Sequence, residues 1–239
     1  TCTTAPCSVM TWGVTQSGWI LPTKIVGSVP ISAVSNWLGP VMASPGVTLD
    51  DAGNTWLFFG TGRFMSIADK TDDSAQYLEG VKDSVVSGTC TQTSTTSCTD
   101  ENLLDVTNAA ICISCASGNQ VQGVGTISTF SNLVTMTKSS GVDGWVIQLA
   151  SNASSPTLGA ERSIVSPTVI GGAVFFPTFT PSSDICVATG TSQIYGLYYL
   201  TGTGYTDPIF GVDGSGKAVR SISGGEGVAS SVAIQIGAE

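Results

Sequence analysis

Hydrophobic positions in this chain come in short runs of about four to eight residues rich in Val, Ile, Phe, Trp and Tyr, separated by clusters of Gly, Pro, Asn, Asp and Ser. Runs of that length and composition predict β-strands. A first set comprises Pro40–Leu49, Thr55–Thr61, Gln76–Asp83 and Gly144–Leu149, and a second comprises Ser163–Ile170, Ala173–Thr180, Gln193–Leu200 and Lys217–Ile222. The turn-forming stretches Asp50-Asp51-Ala52-Gly53-Asn54 and Gly171-Gly172 fall between the first and second strand of each set, which predicts a hairpin in both places. Val9 to Ile25 reads as the last strand or strands of an earlier, incomplete unit, with Trp12 and Trp19 as its large packing residues. The apolar positions of Thr99–Ala110 fit one short helical face, and this is the single helix the pattern predicts.

The two sets repeat one another. Trp19-Ile20-Leu21, then Gly39-Pro40-Val41-Met42-Ala43-Ser44-Pro45-Gly46-Val47, then Trp56-Leu57-Phe58-Phe59-Gly60-Thr61-Gly62 are answered by Trp145-Val146-Ile147, then Glu161-Arg162-Ser163-Ile164-Val165-Ser166-Pro167-Thr168-Val169, then Val174-Phe175-Phe176-Pro177-Thr178. A third copy begins at Gly225-Glu226-Gly227-Val228. Short strands recurring in this way, each set too small to bury its own faces, predict stacked β-units with a continuous core. The expected fold is all-β: a partial β-propeller of about two to three quinoprotein-like, four-stranded blades. On this reading residues 1–36 end a preceding blade, 37–150 form a blade with an insertion at about 84–141, 151–223 form a second blade, and 224–239 start a further one. A closed propeller needs about four blades or more. The remaining blades are therefore expected from the same precursor or another chain, and Thr1 and Glu239 are not expected to be the natural limits of the fold.

Charge narrows the partners. With 8 Lys and Arg against 17 Asp and Glu, the formal charge is −9, which repels phosphates and anionic headgroups and so argues against nucleic acid and bare membrane. No apolar run approaches the ~20 residues that span a bilayer. Cys2 with Cys7, Cys90 with Cys98, and Cys112 with Cys115 are spaced for small disulfide loops, suited to an oxidising compartment. A redox role for Cys112 and Cys115, or metal binding by Cys90, Cys98, Cys112 and Cys115, is the alternative. Cys186 is left to pair with Cys2, Cys7 or a residue outside the chain. The Cys-rich insertion reads either as a recognition surface or as a decorating loop.

Candidate chemistry is sparse. The chain has no His, which removes the commonest general base and imidazole metal sites. Asp50, Asp51 and Asn54 are the candidate Ca²⁺ ligands, with Asp69, Asp72 and Asp73 a second possibility; both groups also read as solvated turns. Phe59-Gly60-Thr61-Gly62-Arg63 resembles a phosphate loop but lacks the Lys-Ser/Thr that would follow it. The structural reading has Gly60 and Gly62 permitting close approach of neighbouring units, Arg63 pairing with an acid such as Asp83, and Arg162 beside Glu161 forming an inter-blade ion pair.

Trp56-Leu57-Phe58-Phe59-Gly60-Thr61-Gly62-Arg63-Phe64, followed by Gln76-Tyr77-Leu78-Glu79-Gly80-Val81-Lys82-Asp83, resembles the C-terminal propeller domain of PilY-type pilus tip proteins. Gly159-Ala160-Glu161-Arg162, Ser166-Pro167-Thr168-Val169 and Asp184-Ile185-Cys186 add to the resemblance, which runs from about Trp37 to Gly237. It implies a non-enzymatic, cofactor-free module of a type IV pilus tip, exported through the periplasm to the cell surface, that acts in pilus assembly and adhesion. Its implied partners are pilin or minor pilin subunits and a host or abiotic surface. Some relatives bind Ca²⁺ through an EF-hand-like loop, to which no stretch here corresponds. The alternatives are a propeller resembling a quinoprotein-type dehydrogenase and a structural subunit of an extracellular filament.

Overall fold

The computed structural model describes residues 39–83, 102–116, 118–151, 159–182 and 189–233. Its strands are β1 (Gly46–Leu49), β2 (Thr55–Gly60), β3 (Tyr77–Lys82), β4 (Leu103–Asp105), β5 (Ala110–Ile111), β6 (Val121–Gln122), β7 (Gly144–Gln148), β8 (Thr168–Ile170), β9 (Ala173–Pro181), β10 (Gly190–Tyr198) and β11 (Ser221–Glu226). Among the described residues one α-helix, α1 (Phe130–Lys138), precedes β7. The fold is mostly β, with little helix among the described residues.

Two sheets carry the architecture. The first has the order β1-β2-β3-β7-β4, and the second is the meander β8-β9-β10-β11. In both, the first three strands follow one another antiparallel, joined by the predicted hairpin at residues 50–54 or 171–172. β1 and β8 begin later than predicted, immediately after Pro45 and one residue into the Pro167-Thr168 step. Proline cannot donate to a ladder, so pairing starts beyond it. β11 falls at Ser221–Glu226 because the segment before it is a tight turn in which Asp213 N–H donates to the Lys217 carbonyl and Val212 bridges Ala218.

The predicted helix at Thr99–Ala110 is not formed over its described part. Leu103–Asp105 instead runs parallel to Gly144–Val146 of β7, and an Asp105 carboxylate oxygen accepts from Thr107 N–H, turning the chain at once. A vacant sheet edge and a local Asx turn outweigh a weak helical pattern. The helix that does form, α1, buries Phe130, Leu133 and Thr137, and its N-cap Thr129 accepts from Asn132 N–H at 3.2 Å. The predicted strands within residues 1–36, and Cys2, Cys7, Cys90, Cys98 and Cys186, lie outside the described residues.

The sheets face each other across one core. Trp56, Phe58, Leu78, Trp145 and Ile147 of the first meet Val174, Phe176, Tyr195 and Leu197 of the second. Burying each large apolar side chain contributes about 1.5–3 kcal/mol. Trp145 lies between two glycines: a Cβ at Gly80 or at Gly202 would run into its indole, whose Nε1–H donates to the Tyr199 carbonyl at 2.8 Å.

Candidate functional site

The segment Gly159–Ser163 runs between the two sheets and is bonded to both. Ser163 N–H donates to the Thr61 carbonyl and Glu161 N–H to the Ala150 carbonyl, both at 2.9 Å and both on the first unit. Arg162 exchanges both backbone bonds with Phe179 of β9. This strap therefore fixes how the sheets meet. Room for it comes from Gly60 and Gly62, where a Cβ would collide with Ser163 and with the Arg162 side chain.

Arg162 is 2% exposed, and among the described residues its guanidinium donates only to main-chain carbonyls: Ala160 at 3.0 Å, Arg63 at 2.8 Å, Asp69 at 2.6 Å and Asp72 at 2.9 Å. Burial lowers its pKa, while the charges of Asp72 and Asp69 act in the opposite direction. A planar group with five fixed donors is suited to gathering several carbonyls of one loop. Glu161 faces the other way. It accepts from Thr178 Oγ1–H at 2.5 Å, from the Tyr195 hydroxyl at 3.2 Å and from Ala150 N–H at 3.3 Å. Glu161 and Arg162 thus serve opposite sides of the junction rather than each other. Burial and then Glu161 raise the Tyr195 phenol well above its ordinary value.

The loop that Arg162 gathers, residues 62–76, is also held from within. Asp69 accepts from Met65 N–H at 2.9 Å, Ser66 N–H at 2.8 Å, Ser66 Oγ–H at 3.0 Å and Arg63 Nε–H at 2.6 Å. The Met65 bond, with those from Arg63 and Ser66, outweighs burial and holds the Asp69 carboxyl far below the usual range. Arg63 pairs with Asp69 and not with Asp83. Asp83 closes the far end of the hairpin, its N–H donating to the Thr55 carbonyl. Anchored this way, the loop carries Met65 and Ile67 at its surface, 76% and 70% exposed. Neither residue stands out in the sequence, because each is a single apolar position in a polar stretch.

Phe59 and Thr61, the rest of the quoted motif, separate. Phe59 lies on the opposite face of the first sheet, with Tyr77, Val81 and Val146. Thr61 Oγ1–H donates to Gln76 Oε1 at 2.9 Å and its oxygen accepts from Tyr77 N–H at 2.8 Å. Glu79, on the same face as Phe59, is fully buried with neither oxygen hydrogen-bonded among the described residues. A lone acid at an inward strand position was the available sequence signal for it.

Asp50, Asp51 and Asn54 adjoin one another without converging on a cation site. Asp50 accepts from Ala52 N–H, Asn54 N–H, Asn54 Nδ2–H and Trp56 Nε1–H at 2.8–3.1 Å. Burial pushes its carboxyl up, but those bonds prevail and the pKa is lowered. Asp51 pairs with Lys138 of α1 at 2.5 Å. A Ca²⁺ ion would have to displace these donors, so the residues present do not fit one. Among the described residues, no three His, Cys, Asp or Glu side chains are grouped to hold a metal.

Cys112 and Cys115 form a disulfide with a Cα separation of 5.5 Å. Ile113 N–H and Ser114 N–H both donate to the Gly216 carbonyl, so this small loop docks the 102–122 segment onto the turn preceding β11. Among the described residues no helix is long and apolar enough to cross a membrane.

No protein-family profile matches the chain. It is 28% identical over 189 residues to a type IV pilus biogenesis factor PilY1 homolog of Xylella fastidiosa (strain Temecula1 / ATCC 700964), an overlap of 77% of this chain and 14% of that protein. Its fold matches the crystal structure of the Pseudomonas aeruginosa PilY1 C-terminal domain with a TM-score of 0.51 at 22% identity, covering 83% of this chain and 42% of that one. The chain thus spans about one seventh of the curated relative it matches. Sequence likeness and fold likeness thus point the same way, toward PilY1 proteins, to which this chain is similar.

Proposed function

We propose that this chain is a propeller-forming, non-enzymatic module of a type IV pilus system, placed at the cell surface on the pilus tip and acting in assembly and adhesion. The observation that carries the reading is the way the two sheets meet. Pairing of Gly80 with Phe58 and of Gly196 with Phe175 makes Phe58 equivalent to Phe175 and Phe59 to Phe176. The core between the sheets uses Phe58 from the first and Phe176 from the second, which are opposite faces of equivalent strands. A two-fold sandwich would bring like faces together. Head-to-tail packing instead propagates, and it closes into a ring when the rotation allows. The step recurs: Gly46 of the first unit lies against Pro167 of the second, and Thr168 Oγ1–H of the second donates to the Val232 carbonyl of the third at 2.9 Å. Equivalent serines, Ser44 and Ser166, meet at 3.0 Å beside the two first strands.

A pilus role rests on the PilY1 homolog, whose name assigns it to type IV pilus biogenesis. The stiff loop presenting Met65 and Ile67 supplies a contact surface of the kind that partner proteins engage, since exposed apolar side chains on an ordered loop bind with little entropic cost. The test is gold labelling of native pili with an antibody raised against this chain, together with pilus counts in cells lacking it. Labelled filament ends with fewer pili are the expected result. Label along the shafts would favour the filament-subunit alternative, and unlabelled pili at normal numbers would overturn the reading.

A further inference from the structure

Cys112 and Cys115 sit where the 102–122 segment crosses onto the second unit, and main-chain bonds make the crossing. Ile113 N–H and Ser114 N–H donate to the Gly216 carbonyl at 2.8 and 3.0 Å, Ala218 N–H donates to the Ile111 carbonyl at 2.8 Å, and Cys112 bridges Lys217. Gly216, with φ +83°, has no room for a side chain, because a Cβ there would meet the main chain of Ser114 and Cys115. Farther along, Arg220 donates to the Val106 and Thr107 carbonyls at 3.2 and 2.6 Å. The turn before β11 is thus held to the segment twice, at the disulfide loop and at Arg220.

The disulfide joins residues three apart in sequence. So short a loop removes little freedom from the unfolded chain and makes a weak staple for the fold at large. What it does fix is the shape of the loop that carries the two N–H donors. Its sulfurs are unequal. Cys112 is 9% exposed, whereas Cys115 is half-buried between the exposed Ser114 and Ala116. Cys115 N–H donates to Cys112 Sγ at 3.1 Å. A donor on that sulfur favours its thiolate and makes it the better leaving group. Access and leaving ability therefore select the same direction of attack, at Cys115.

We propose that Cys112–Cys115 is a thiol–disulfide exchange site whose substrate is a dithiol, and that its oxidation state sets whether the 102–122 segment stays latched to the turn before β11. One thiolate of the dithiol bonds to Cys115 Sγ while the S–S bond breaks and its electron pair leaves on Cys112 Sγ. The second thiolate then attacks the sulfur already bonded to Cys115 and releases Cys115 as a thiolate. The dithiol ends as a disulfide, and the chain gains two electrons together with the two protons that the dithiol gives up. Once reduced, the loop is free to turn its N–H groups away from Gly216, while Arg220 keeps its hold.

The test treats the full 239-residue chain with glutathione, traps free thiols with N-ethylmaleimide and maps the adducts by peptide mass. The expected product carries glutathione on Cys115 and maleimide on Cys112, about tenfold or more over the reverse arrangement. An excess of the reverse arrangement, or reaction confined to the chain's other cysteines, would overturn the site. Hydrogen exchange before and after dithiothreitol reads the latch. The N–H groups of Ile113, Ser114 and Ala218 should lose roughly tenfold in protection, β2 and β3 should not change, and reoxidation should restore the first pattern. Because dithiothreitol reaches any other disulfide as well, the double variant Cys112→Ser, Cys115→Ser must show the same loss without reductant. Unchanged protection in either sample would make the pair a passive staple and overturn the latch. If the double variant does not fold, the glutathione map and the wild-type exchange at Ile113 and Ser114 decide the matter. Neither measurement depends on pili, so a negative result would leave the pilus reading intact.

Discussion

The straps ahead of β1 and β8 have the same backbone role and opposite side-chain content. Pro40 and Arg162 each take a hydrogen bond from the end of the second strand of their own unit, from Gly62 and Phe179. The first strap is Gly39-Pro40, with almost nothing to extend. The second is Glu161-Arg162, whose charged groups reach Thr178 and Tyr195 on one side and three carbonyls of the 62–76 loop on the other. Where the strap lacks an acid, Gln76 takes over the bond to the equivalent threonine. The repeat is therefore a backbone device, and polar side chains adapt each junction to its own neighbours.

The largest expected effect comes from removing the richer strap's cation. Arg162→Met should destabilise the chain by about 3–5 kcal/mol, because buried carbonyls lose their donor and each such loss costs about 1–3 kcal/mol. Pro40→Ala at the matching position should cost less than about 1 kcal/mol, since it removes no side-chain bond. Urea unfolding followed by the fluorescence of the buried Trp56 and Trp145 measures both. Equal small losses would show that the charged strap adds nothing to the plain one.

The close approach that both straps require gives the next prediction. Gly60→Ala should cost about 2–3 kcal/mol by overpacking, as the new methyl meets Ser163. Ser163→Gly made in the same chain should recover more than half of that loss. Without such recovery, the glycine would be needed for something other than passage of the strap.

These two cases also show which parts of the molecule were legible in the sequence. Strand pairs and hairpins were readable because alternation and turn residues act locally, and Gly60 with Gly62 pointed to a crowded crossing. Arg162 was visible as a charge but not as a ligand of carbonyls, since main-chain acceptors carry no residue code. Asp83 is one acid within reach of Arg63 in the sequence, but the pair forms with Asp69, six residues on, because the loop between them closes on itself. α1 hides in the sequence because Ser131, Thr135 and Thr137 give it the polarity of a loop. Its cap at Thr129 and the spacing of Phe130, Leu133 and Val134 carried the helical signal. Leu103–Asp105 fits a helical pattern and still forms a strand, because a short apolar run does not reveal that a sheet edge awaits it.

The smallest effect separates loop anchoring from junction strength. The Asp69 carboxylate and Arg162 hold the same 62–76 loop, but that carboxylate binds only loop groups among the described residues, whereas Arg162 joins the loop to the second unit. Asp69→Asn should therefore cost about 1–2 kcal/mol at pH 7, in the range of a lost capping carboxylate. The folded pKa of Asp69 is depressed, so its contribution is present above the ordinary carboxylate range and fades as pH falls through that range toward the folded value. The difference between wild type and Asp69→Asn should then be constant from pH 8 to about pH 5 and shrink below about pH 4. Hydrogen exchange should show the loss as faster opening at Met65 and Ser66, with β9 and β10 unaffected, whereas Arg162→Met should loosen both the loop and β9. Matching exchange patterns for the two variants would mean that the loop and the junction open as one unit, and the distinction between the two anchors would fail.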